Sequence, residues 1–166
     1  MKILYFGNKL SKHGYSPTVL ENLSRLLQSD QMEVYTSSDK KNKLMRFLDM
    51  LMSFFRKRRG TDVILIDTYS TLNFWYAVMI GWLSSLYGIK YIPILHGGKL
   101  PERLERSTAI SRKLFMQSVV NVAPSGYLYD EFYKRGYHNT VVIPNFIDEG
   151  NYQPQQRTCI GVPKLL

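Results

Sequence analysis

Residues 61–98 read TDVILIDTYSTLNFWYAVMIGWLSSLYGIKYIPILHGG. An apolar run of strand length, Thr61–Asp67, gives way to Leu72–Gly88, which is long enough for a helix and ends on a glycine suited to leaving one. A second apolar run, Ile89–Leu95, follows and stops at His96, Gly97 and Gly98. Near-continuous apolar strands want cover on both faces, and a helix between two of them is the crossover that parallel pairing requires. The stretch Leu72–Ile89 holds 18 residues without a charge, so a membrane span has to be weighed. It sits at the short limit for a hydrocarbon layer of about 30 Å, and Asn73, Ser84 and Ser85 dilute it. Since the flanking strands call for a crossover, a buried helix is the better reading.

The same alternation extends in both directions. KILYFG (Lys2–Gly7), MEVYTS (Met32–Ser37), SVVNVAP (Ser118–Pro124) and NTVVIP (Asn139–Pro144) read as further strands. Between them, SPTVLENLSRLL places Val19, Leu20, Leu23, Leu26 and Leu27 at helical spacing, with Ser16 as N-cap and Pro17 at the first helical position. RLERSTAISRKLFM reads as one helix, and SGYLYDEFYKRG as a capped helix ending at Gly136. The pattern predicts an α/β fold: a doubly wound, Rossmann-like parallel sheet of about six strands with helices on both faces, in three α/β/α layers. Ligands of such sheets collect beyond the carboxyl ends of the strands, which puts His96 on the functional edge.

Composition narrows the class. With 166 residues, 45% hydrophobic and 21% charged, the chain has the balance of a folded domain and not of a disordered one. A single cysteine, Cys159, excludes an internal disulfide framework, and MKILYFGNK has too short an apolar run for a signal peptide; a cytoplasmic location is expected. The net charge of +9 is concentrated: Lys40, Lys41, Lys43, Arg46, Arg56, Lys57, Arg58 and Arg59 face only Asp49 in their segment. Leu44, Phe47, Leu48, Leu51, Phe54 and Phe55 fall along one helical face there. That segment is either a packed helix with a solvated charged side or an interfacial helix lying on anionic lipid through those basic residues, Phe54 and Phe55. Nucleic acid ranks below both, because no recognised binding motif accompanies the charge.

Two places could carry chemistry. The loop GNKLSKHGYSP lacks both the G-x-G-x-x-G and the G-x-x-x-x-G-K-[ST] patterns; a glycine beside a helix N-terminus remains, suited either to an anion such as a diphosphate or to a plain flexible connection. His96 can exchange a proton near neutral pH, and Gly97 and Gly98 let a substrate approach the backbone; a structural histidine at a strand end is the alternative.

The order and spacing of these pieces resemble the N-terminal domain of family 4 glycosyltransferases, which have the two-domain GT-B architecture. The resemblance rests on KILYFG, HGYSPTVLENLSRLL, TDVILID, IPILHGG, VVNVAPSGYLYDEFYKRG and, most specifically, VVIPNFID. It implies that residues 1–148 form an acceptor-side domain and that 149–166 form a linker and the start of a C-terminal domain. It implies transfer of a sugar from a nucleotide-diphosphate sugar to a saccharide or lipid-linked acceptor, with no cofactor or metal and with no activity from the chain alone. Residue by residue, Gly14 matches the second glycine of the donor-diphosphate loop, and His13 stands where the first usually is. His96 matches the histidine facing the transferred sugar and acceptor, followed by Gly97 and Gly98. Ser125 matches the serine opening the next helix. Asn145 and Asp148 match hinge residues, with Phe146 replacing a glycine. A peripheral position on the inner membrane face is expected if the basic helix binds lipid. The rival class is a non-enzymatic α/β module whose basic helix binds membrane or nucleic acid.

Overall fold

The computed structural model describes residues 1–9, 11, 14, 17–40 and 42–145. Among these residues six strands and six helices follow in the order β1 (Lys2–Phe6), α1 (Val19–Ser29), β2 (Glu33–Ser37), α2 (Lys43–Lys57), β3 (Val63–Tyr69), α3 (Asn73–Leu86), β4 (Lys90–His96), α4 (Leu100–Arg106), α5 (Thr108–Met116), β5 (Asn121–Ala123), α6 (Gly126–Lys134) and β6 (Thr140–Val142). All strands pair in parallel in one sheet ordered β2-β1-β3-β4-β5-β6, the three-layer α/β architecture expected from the sequence. The chain leaves β1 toward one edge, returns past it to β3 and continues to the other edge. The direction of winding therefore reverses between β1 and β3, which opens a crevice at their carboxyl ends.

The two faces of the sheet are covered unequally. Strand positions of one parity, including Leu4, Phe6, Ile64, Ile66, Tyr91 and Leu95, pack against side chains from α2, α3, α4, α5 and α6. The other parity, with Ile3, Tyr5, Val34, Leu65 and Ile94, meets only α1 among the described residues, through Leu20, Leu23 and Leu27. An apolar groove of about 260 Å³ consequently stays open beside α1, lined by Val19, Leu23, Leu65, Ile92, Ile94 and Val122 together with Ile143, Pro144 and Asn145.

Several boundaries differ from the sequence expectation for local reasons. Thr18, not Ser16, caps α1: its side chain accepts from Glu21 N, and the Glu21 carboxylate reaches back to Thr18 N, completing a capping box. The stretch read as a single helix from Arg103 breaks at Ser107, whose φ of −136° and ψ of 46° are not helical. Ser107 and Thr108 are residues whose hydroxyls compete for backbone partners, and Thr108 Oγ1 donates to Glu105 O at 3.0 Å. β3 begins and ends two residues later than expected, so Asp67 lies inside it, and β4 includes His96 as its last residue. Gly88 and Gly136 do terminate α3 and α6 with φ of 66° and 87°. Among the described residues, no helix is long and apolar enough to cross a membrane.

Candidate active site

A strand has a side-chain period of two, so positions two apart share a face. Register aligns Tyr69 with His96, Asp67 with Ile94, and Tyr5 with Leu65. Tyr5, Asp67, Tyr69 and His96 therefore rise from the α1-side face near the carboxyl ends of three neighbouring strands. Deeper in the sheet this parity is apolar; at the edge it turns polar.

These four side chains form one network. Tyr5 OH donates to Asp67 Oδ1 at 2.8 Å, and His96 Nε2 lies 2.9 Å from the same oxygen. Tyr69 stacks on the imidazole, with ring centroids 4.7 Å apart and 18° between planes. His96 is 8% exposed and Asp67 5%, so the pair is shielded yet lies at the rim. Burial, and then the negative charge of Asp67, push both the Tyr5 and the Tyr69 phenols well above their ordinary value, so both remain protonated and Tyr5 stays a donor. In the tautomer that donates from Nε2 to Asp67 Oδ1, Nδ1 is the nitrogen with the free lone pair.

Asp67 reaches this position because Gly7 makes room. A Cβ on Gly7 would stand 2.3 Å from Asp67 Oδ2 and 2.8 Å from Leu20 Cδ1. Oδ2 itself is buried and has no hydrogen-bond partner among the described residues. The next residue, Asn8, is anchored by Arg46, whose Nη1 donates to Asn8 Oδ1 at 2.9 Å while Nε donates to Lys40 O at 2.9 Å.

Around the dyad the structure gathers part of the expected site. Gly97, with φ of 84°, and Gly98 are exposed and have open space where a Cβ would project. Tyr127 OH donates to Gly98 O at 3.4 Å and ties this loop to the start of α6. Ser125 caps that helix, its hydroxyl accepting from Leu128 N. Gly14 is an exposed turn residue with φ of 83°, and Asn145 lines the apolar groove beside α1 rather than the dyad. His13, Lys41, Phe146, Asp148 and the segment 149–166 lie outside the described residues.

The basic helix requires corrections. Phe54 is fully buried in the core and cannot meet a membrane, and Arg46, 7% exposed, is spent on Asn8 and Lys40. Lys57 and Arg58 fold back over the rings of Tyr35 and Tyr87, at 3.9 and 4.1 Å. The solvent-facing stripe of α2 is Leu44, Leu48, Met52 and Phe55, a rotation away from the core stripe of Arg46, Met50 and Phe54. Lys43, Arg56 and Arg59 are exposed beside it, and Lys40 lies 3.5 Å from Asp39.

Sequence reasoning missed Asp67, Tyr5 and Tyr69. A signal was present: an aspartate inside an otherwise apolar strand is costly unless it has partners, and the strand TDVILID carries one. Neither a family model nor a curated protein matches this chain.

Proposed function

We propose that the chain is the acceptor-side domain of a GT-B glycosyltransferase and that His96, oriented by Asp67, is its general base. The observation that carries this reading is the buried Asp67–His96 pair at the carboxyl edge of a parallel sheet, beside a loop of two exposed glycines. An acceptor hydroxyl held over Gly97 and Gly98 gives its proton to Nδ1. Its oxygen then bonds to the anomeric carbon of the donor as the bond to the diphosphate breaks, and the diphosphate leaves with the electron pair. Asp67 stabilises the imidazolium that forms, while Tyr5 and Tyr69 fix the carboxylate and the ring plane. The leaving diphosphate is held by groups of a second domain.

The test is turnover of the complete two-domain protein with nucleotide-diphosphate sugars. General acid–base catalysis is worth about 10²–10⁴-fold, so His96→Gln lowers kcat by that order while donor affinity holds. Asp67→Asn, which presents an amide to Nε2 and disturbs the tautomer, gives a loss of similar direction. Unchanged kcat in a folded His96→Gln variant refutes the assignment.

A lipid-linked acceptor is favoured by a separate observation. The exposed stripe of α2 lies on the same side of the sheet as exposed Trp75, Trp82 and Leu86 of α3 and Leu72 just before it, with Lys43, Arg56 and Arg59 alongside. Apolar side chains flanked by cations suit an anionic bilayer surface, where each basic residue adds about 1 kcal/mol. Flotation with anionic vesicles that is lost in Leu48→Ser/Met52→Ser supports this surface, and equal flotation of the variant and wild type removes it.

A further inference from the structure

A second cleft, of about 200 Å³, opens at the same sheet edge and is lined by Ser70, Thr71, Lys99, Glu102, Arg103 and Arg106. Ser70 directly follows Tyr69, the residue stacked on His96, and Lys99 lies three residues beyond His96, so the cleft adjoins the dyad along both β3 and β4. We infer that this cleft is a phosphate-monoester subsite, which binds a phosphoryl group carried by the acceptor whose hydroxyl His96 deprotonates.

Three cations and one carboxylate line the cleft. Arg103 is preorganised: Nε and Nη2 both donate to Ser70 O, at 2.9 and 2.8 Å, and the guanidinium lies 5.4 Å from the Phe74 ring. That clamp uses one edge of the guanidinium and leaves further N–H donors on the other, the geometry in which arginine takes phosphate oxygens. Lys99 is exposed and forms no ion pair with any described carboxylate. Glu102, the only acid among the described residues that line the cleft, pairs with Arg106 at a loose 3.6 Å, both side chains being mostly exposed. The nearest further acid in sequence, Glu105, is turned away to Arg135 at 2.6 Å. The cleft thus keeps a net positive charge with donors already fixed in place. Ser70 and Thr71 add hydroxyls at its wall, and a phosphate group fits the volume.

Naming the acceptor as the source of the phosphate rests on the transferase reading. Phosphate binding itself is measured without catalysis, so the two can fail separately. The 166-residue chain is titrated with glucose 1-phosphate and with uridine diphosphate, and it is sedimented with phosphatidylcholine vesicles containing phosphatidic acid. Four forms are compared: wild type, Lys99→Gln/Arg106→Gln, Arg103→Lys, and Arg56→Gln/Arg59→Gln, which removes as much charge as the first pair but from the end of α2 and the turn after it. The vesicle arm is run with Arg56→Gln/Arg59→Gln as the background, so that α2 does not hold the protein to the membrane by charge.

A lost charge-assisted hydrogen bond corresponds to about a tenfold change in affinity. Lys99→Gln/Arg106→Gln is therefore expected to weaken glucose 1-phosphate binding by about tenfold or more, while Arg56→Gln/Arg59→Gln changes it by less than about threefold. Arg103→Lys, which keeps the charge but loses the fork, weakens binding as well. A sensitivity to Lys99 and Arg106 seen on vesicles alone identifies a lipid phosphate, and one seen in solution identifies a soluble phosphate. Both results support the subsite. Equal losses from the two charge-removing pairs, or no saturable binding of any phosphate, overturn it. Tighter binding of uridine diphosphate than of glucose 1-phosphate, with the same dependence on Lys99 and Arg106, makes the cleft a donor site and overturns the acceptor assignment.

Discussion

Substituting Gly7 by alanine tests the dyad through its packing rather than its chemistry. The added methyl would stand 2.3 Å from Asp67 Oδ2, 2.8 Å from Asp67 Cγ and 2.8 Å from Leu20 Cδ1. Restoring a van der Waals separation requires the carboxylate to retreat by about 1 Å. Its bonds to Tyr5 OH and His96 Nε2, at 2.8 and 2.9 Å, would then lengthen past hydrogen-bonding range. Overpacking alone costs about 1–3 kcal/mol, and a hydrogen bond to a charged group about 1.5–3 kcal/mol, so a loss of roughly 3 kcal/mol is expected. For a domain of this size, each kcal/mol shifts Tm by about 2–4 °C, and calorimetry should show a fall of roughly 6–12 °C. A cycle with Asp67→Ala isolates the contact: once the carboxylate is gone, Gly7→Ala should cost at least about 1 kcal/mol less than in wild type. A Tm within about 2 °C of wild type for Gly7→Ala, or strict additivity with Asp67→Ala, would refute the placement of Asp67 against β1.

Other perturbations read different parts of the structure. Tyr5 and Tyr69 hold their protons in the fold at pH values where the unfolded chain, with phenols near 10, releases them. Their contribution is therefore complete below about pH 10 and is lost above it, at about 1.4 kcal/mol per pH unit for each phenol. Urea midpoints measured from pH 9 to 11.5 should fall less steeply in Tyr5→Phe than in wild type, and parallel curves would contradict the burial of this phenol. Phe54→Ala should cost about 3–5 kcal/mol, whereas Phe55→Ala, at a site 48% exposed, should cost about 1 kcal/mol. Equal costs would mean that α2 is docked in a different rotation. Arg46→Met should lose about 1–3 kcal/mol by leaving Asn8 Oδ1 and Lys40 O without a donor, and faster amide exchange at Lys9 would report the loosened loop.

The alternation of short apolar runs with helical segments was written in the sequence, and so were the glycines that close α3 and α6, because both depend on local backbone preference and on the burial needs of each segment. His96 could also be placed at a strand end, since the histidine and two glycines interrupt an apolar run. Its partners could not. Asp67 is 29 residues from His96 and 62 from Tyr5, and only the pairing β1–β3–β4 brings the three together. The period of two fixes which residues share a face of one strand, whereas the identity of neighbouring strands is a property of the assembled sheet. Helix α2 shows the same limit: its apolar residues extend around so much of the circumference that several stripes could face inward, and docking against β1, β2 and α3 selected Met50 and Phe54. Composition set the inventory of groups; packing decided which of them are sealed in the core, which are paired, and which are left facing a ligand.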